Sequence, residues 1–196
     1  MTGHTHTQSI AFAGTRRIAA GALAEVALKA KKLVDRGDAV LILDDATSEP
    51  IEVDFRGTPQ DVTERLAKGV LAAAPQTEPQ AGPGRPKLGV VAREVTLLPR
   101  HWDWLNSQPG GASVALRKLV DEARRVKSGQ DRVRRAQERA YRFMSIVAGD
   151  LPGFQEAARH LFAGDAEKFS ARIGKWPKDV RDHAAKLAEG ALEKAE

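Results

Sequence analysis

The residues in this sequence whose types and spacing suit chemistry are its lysines and arginines. Between Ala81 and Ser145 there are 14 of them against 6 aspartates and glutamates, while the rest of the chain carries 17 against 20. The net charge of +5 is therefore a property of the middle of the chain. A localised cationic band is the footprint of a polyanion binder, and it equally describes a solvated helix face. Covalent chemistry has no comparable residues. A Gly-x-Ser-x-Gly elbow, a phosphate loop and a His-Glu-x-x-His pair are all missing, as is any convergent carboxylate set, so a non-enzymatic protein is expected. The absence of cysteine removes disulfides, thiolate metal sites and thiol nucleophiles, and it suits a reducing cytoplasm. His4 and His6 alternate near the start, and Asp44, Asp45 and Glu49 cluster in an acidic turn. Each could hold a metal, but a loose terminus and a solvated hairpin loop describe them better, and neither a metal nor a cofactor is expected.

The basic candidates sit in a stretch from Arg93 to Arg125 that also holds Trp102, Trp104 and a Pro109-Gly110-Gly111 break. Val90 to Leu98 favours a strand, with Val91, Arg93, Val95 and Leu97 on one face and Glu94, Thr96 and Leu98 on the other. Pro99 ends it and opens a short helix through Asn106, which carries Arg100. After the glycines Ser113 starts a longer helix with Leu116, Leu119, Val120, Ala123 and Val126 as its buried face. Arg117, Lys118, Arg124 and Arg125 are left outside. Gly129 is expected to interrupt that helix. Beyond it Arg135, Arg139 and Arg142 fall on one stripe, suited either to phosphates or to the acidic N-terminal part of the same chain.

Elements on either side must position this stretch. In the N-terminal third, Ser9 to Ala13 and Arg17 to Ala20 read as a hairpin, followed by a helix that ends at Gly37. Ala39 to Leu43 and Ile51 to Phe55 read as a second strand pair. A further helix starts at Thr58-Pro59 and buries Val62, Leu66 and Val70. These units predict an α+β domain over residues 8–73, with a four-stranded, mainly antiparallel sheet and both helices on one face. Residues 74–89 form a proline- and glycine-rich linker, 90–128 the strand-helix-helix segment and 129–195 a helical bundle. Within the bundle, Ala148-Gly149-Asp150 with Phe154 recurs as Ala163-Gly164-Asp165 with Phe169. The reading is a glycine closing one helix and an aspartate capping the next. The polar start of the chain does not read as a signal peptide, and no apolar run approaches a membrane span.

Three resemblances add to this reading. Gly84-Arg85-Pro86-Lys87 resembles the Gly-Arg-Pro core of the AT-hook, with Pro83 where that motif has a basic residue. It implies insertion of Arg85, flanked by Lys87, into the minor groove of A·T-rich DNA. Strand, short helix, glycine turn and longer helix resemble the ribbon-helix-helix fold, Leu98-Pro99-Arg100 matching its strand-to-helix junction and Ser113 its second-helix start. The first helix is about a turn shorter than is usual there. That likeness implies a homodimer whose paired strands enter the major groove, with duplex DNA as partner. Only Arg93 is a good base reader on the strand, so readout is expected to be weak or degenerate. Finally, FRGTP, GRPKLGVVAREVTLLPRHWDWLNSQPGGAS, AGD with FAGD, and WPKDVRDHA together are similar, over nearly the whole chain, to a bacterial domain-of-unknown-function family numbered 2239. That similarity implies a bacterial cytoplasmic protein and brings no activity with it. The sequence thus predicts a dimeric DNA-binding or nucleoid-associated protein. The alternative is a non-enzymatic regulatory protein whose basic face docks an acidic partner.

Overall fold

The computed structural model describes residues 8–73, 91 and 93–192. It is a mixed α+β protein with a three-stranded antiparallel sheet and seven helices among the described residues. Two units emerge, one from residues 1–75 with 130–196 and one from residues 76–129. The boundaries expected at 8–73 and 129–195 therefore enclose parts of a single unit.

In the first unit β1 (Gln8–Ala13) pairs with both β2 (Arg16–Ala22) and β3 (Leu41–Asp44), giving the order β2-β1-β3. Strand alternation places Ile10 and Phe12 on one face and Ala11 on the other, and both faces are covered. Ala11, Ala19 and Ile42 pack with Val26 and Ala30 of α1 (Leu23–Val34), while α2 (Pro59–Ala73) lies against α1. The helix start expected at Thr58 is present as a reciprocal cap. Thr58 Oγ1 accepts from the Asp61 amide at 3.2 Å, and an Asp61 carboxylate oxygen accepts from the Thr58 amide at 2.7 Å.

The fourth strand is a correction. Ile51 to Phe55 is extended, and Ile51, Val53 and Phe55 do turn toward the core in strict alternation, but no ladder continues past the bridge of Leu43 to Pro50 and the Ile51 amide bonded to Ile42 O. Side chains hold the segment instead. The buried Lys31 ammonium donates to Phe55 O at 3.1 Å and to Asp35 at 2.8 Å, and Arg65 donates to Asp54 O at 2.8 Å. Alternation reports which way side chains face and says nothing of whether a neighbouring strand is within reach.

The opposite sheet face meets the helical part. Ile10, Phe12 and Leu43 share one core with Ala136, Ala140, Phe143 and Met144 from the end of α4 (Gly111–Val147), and with α5 (Phe154–Ala163), α6 (Ala166–Ile173) and α7 (Lys178–Leu192). The Gly-Asp repeat works as read at its second copy. Gly164 is left-handed at φ 69° and ends α5, and Asp165 caps α6 by accepting from the Lys168 amide at 3.1 Å. At the first copy Asp150 does not cap, because Leu151-Pro152-Gly153 intervenes and Gly153 precedes α5. The Trp176 indole donates to Pro152 O at 2.9 Å, so the inserted turn is tied to the buried ring that follows α6.

At the centre of this core His183 lies against Phe143 at 4.6 Å, edge to face, and against Phe12 at 5.9 Å, with its Nε2 unpartnered. Burial pushes its pKa down to about 4 from 6.5; Asp45 opposes that shift, and Lys186 and Arg17 add to it. Because the unfolded chain takes up this proton first, the contribution is complete above pH 6.5 and is lost as pH falls toward about 4. Urea denaturation at pH 7 and pH 4.5 is expected to differ by about 2 to 3 kcal/mol from this group. His183→Leu should remove that part of the difference, and an unchanged difference would place the acid sensitivity elsewhere.

The second unit contains α3 (Pro99–Ser107) and the first part of α4. Three expectations are corrected here. The described residues of Val90 to Leu98 form no strand, and no described residue pairs with them in a sheet. α4 starts at Gly111, two residues before Ser113, because Gly110 and Gly111 have positive φ and turn the chain into the helix. It then runs unbroken through Gly129 for 37 residues. A lone glycine costs a helix only about 1 kcal/mol, and the flanking arginine, lysine, glutamine and alanine residues are good helix formers.

Candidate nucleic-acid interface

The second unit holds the excess of positive charge: residues 76–129 carry 9 Lys and Arg against 5 Asp and Glu, and the rest of the chain carries 22 against 21. Arg93, Arg100, Arg117, Lys118, Arg124 and Arg125 are all exposed. On α4, Arg117 and Arg124 are seven residues apart, as are Lys118 and Arg125, so each pair forms a stripe two turns long on the side away from the apolar positions. Arg117 Nε donates to Ser113 O at 3.1 Å, which steadies the guanidinium beside the first turn. Ser113 is exposed within that turn, where the leading amides have no intrahelical acceptors. Such a surface can bind phosphates by charge and by free N–H groups.

The apolar side of the same helix corrects the expected core. Leu119, Val120 and Val126 are exposed at 43%, 53% and 71%, Ala123 is exposed and Leu116 half-buried. Every residue from Arg117 to Gln130 is exposed. Among the described residues of this unit only Leu105 and Ala115 are buried. Trp102 is half-buried and Trp104 exposed, and Trp104 borders a groove of about 460 Å³ with Leu97, Arg100, Leu105, Leu116 and Leu119.

The candidates do not all come together. Arg85 and Lys87 lie outside the described residues. Arg135, Arg139 and Arg142 belong to the first unit, where they divide. Arg135 is exposed. Arg139 donates to Leu187 O at 3.0 Å, and Arg142 donates to Thr47 O and pairs with Glu49 at 3.6 Å. The stripe is thus partly satisfied by the chain's own carbonyls and acidic turn. That turn is built as structure: Asp44 accepts from the amides of Ala46 and Thr47, and Asp45 pairs with Lys186 at 2.7 Å. No cluster of three or more His, Asp or Glu suited to a metal occurs among the described residues. None of their helices is long and apolar enough to cross a membrane. What the sequence reading missed is Lys127, exposed between the apolar and basic sides of α4; its i+5 spacing from Glu122 was the available signal.

A model of the bacterial family described as Uncharacterized protein conserved in bacteria (DUF2239) matches residues 8–188. No curated protein and no solved structure matches the chain.

Proposed function

The chain belongs to the DUF2239 family of bacterial proteins, and we propose that it binds duplex DNA as a dimer through the exposed basic residues of its second unit, with little discrimination between sequences. The observation that carries this is the concentration of the charge excess in that unit, with seven arginines and lysines exposed among its described residues. Phosphate contacts of this kind give affinity and register without reading bases. Residues 93–98 lie outside the helices and are mostly exposed, which supports a ribbon formed with a second copy. Val91, Val95 and Leu98 are exposed at 71%, 55% and 48%, and pairing with another chain would satisfy backbone groups that an isolated strand leaves open. Arg93 would then lie on the ribbon, and Arg117 and Lys118 near the helix starts. Arg139 has its partner inside the first unit and takes no part.

A fluorescence-anisotropy titration with random duplex at 50 and 200 mM salt tests this. Eight neutralised phosphates, four from each copy, would weaken binding between those concentrations by roughly 10⁴-fold, since the log-log slope is about −0.9 per phosphate. No duplex affinity at 50 mM salt, with one acidic protein co-purifying at fixed stoichiometry, would instead support the docking alternative.

A further inference from the structure

We infer that α4 joins two copies of this chain side by side in parallel, along a short seam of Leu119, Ala123 and Val126 flanked by Glu122 of one copy and Lys127 of the other. The inference deepens the dimer proposed above and rests on it for the second copy, though it makes no use of DNA. Five observations lead to it. The unit of residues 76–129 buries only Leu105 and Ala115 among its described residues, far short of a core for a segment of that size. Small units that fall short are completed by disulfides, by a metal or by a partner. Cysteine is absent from the chain and no metal cluster occurs among the described residues, which leaves a partner chain.

The pattern on the helix then says which partner. Ala112, Leu116, Leu119, Ala123 and Val126 alternate four- and three-residue steps, the repeat that lets two helices wind around each other. The first two of these are half-buried, and the seam is exposed from Leu119 onward. The positions flanking it hold Glu122 on one side and Lys127 on the other, both exposed. In a parallel pair a residue on the first side faces the residue five later in the other chain, so Glu122 meets Lys127 twice by symmetry. In an antiparallel pair Glu122 would face Glu122. The sequence is thus complementary to itself in one orientation. The groove beside Leu119, with Leu97 and Trp104 on its walls, continues the apolar surface that the second copy covers.

The cysteine-free chain makes a direct test possible. Full-length Val126→Cys, oxidised in the absence of DNA, is expected to form a covalent dimer, because the same position of each helix meets across a parallel seam. Arg125→Cys, on the opposite side of α4, is expected to stay monomeric under the same conditions. Cross-linking only in the double variant Leu119→Cys/Val126→Cys would mean an antiparallel pair, and equal cross-linking at 125 and 126 would mean collision; either overturns the proposal. Sedimentation of charge variants gives a second reading that needs no cysteine. Glu122→Lys and Lys127→Glu should each weaken self-association by roughly tenfold, and the two together should restore it. Failure of that restoration, or a wild-type chain that remains monomeric, would also refute the seam. Since no nucleic acid is present, a dimer that forms yet ignores duplex would count against DNA binding alone.

Discussion

Replacing Arg117 and Arg124 together by alanine is expected to lower affinity for random duplex by about three orders of magnitude at 0.1 M salt. The two side chains share a stripe of α4, and both are exposed. In a dimer they account for four phosphate contacts, and each contact contributes about 0.9 to the log-log salt slope. The slope should therefore flatten by about 3.6, and at one decade below 1 M salt that difference is roughly 10³ to 10⁴ in binding. Alanine favours a helix at least as well as arginine, so loss of structure does not confuse the reading. Arg142→Ala is the informative control. It removes one charge per chain where the pair removes two, but its guanidinium is engaged with Thr47 O and Glu49, and the slope should not change. A loss from Arg142→Ala half as large, on the logarithmic scale, as that of the pair would mean that net charge, rather than a face of α4, draws the polyanion.

Phe143→Ala is expected to destabilise the first unit by about 3 to 5 kcal/mol, lowering its melting temperature by roughly 6 to 20 °C. The ring is fully buried, 5.3 Å from Phe12 of the sheet and 4.6 Å from His183 of α7. Truncation leaves a cavity where β1, α4 and α7 converge, and none of the three can close it without moving the others. Differential scanning calorimetry reads the shift directly. A change below about 1 kcal/mol would mean that the sheet and the helices do not depend on a common core. Below the variant's melting point its DNA salt slope should match that of the unaltered chain, since none of the proposed contacts lies in this core.

Local features of this fold were legible in the sequence; contacts between distant segments were not. The Thr58-Pro59 helix start, the hairpin around Gly14 and the Gly164-Asp165 junction follow from residues a few positions apart, and all three are present. The alternation of Ile51, Val53 and Phe55 told correctly which side chains turn inward, yet whether a strand lies alongside is a long-range matter that alternation cannot carry. Gly129 does not break α4, because a single glycine is a weak breaker against good helix formers on both sides. The joining of sheet and bundle depends on Phe12, Phe143 and His183 meeting across more than 130 residues of chain, and no local pattern encodes that. For the candidate site, the sequence located the basic stretch and left two readings of the arginine stripe open. The carbonyls of Thr47 and Leu187 decide that Arg142 and Arg139 turn toward their own unit. The exposure of Leu119, Val120 and Val126 was legible only as amphipathicity, which fixes the apolar side of a helix without saying whether the same chain covers it.

The most direct single test is sedimentation velocity of the full chain with a labelled random duplex at 50 mM salt, with absorbance of the label and of the protein followed together. A DNA-binding dimer predicts a complex of two chains per duplex that dissociates as salt is raised to 200 mM. A chain that sediments as a monomer, with the duplex moving as free DNA beside it, would contradict the proposed function.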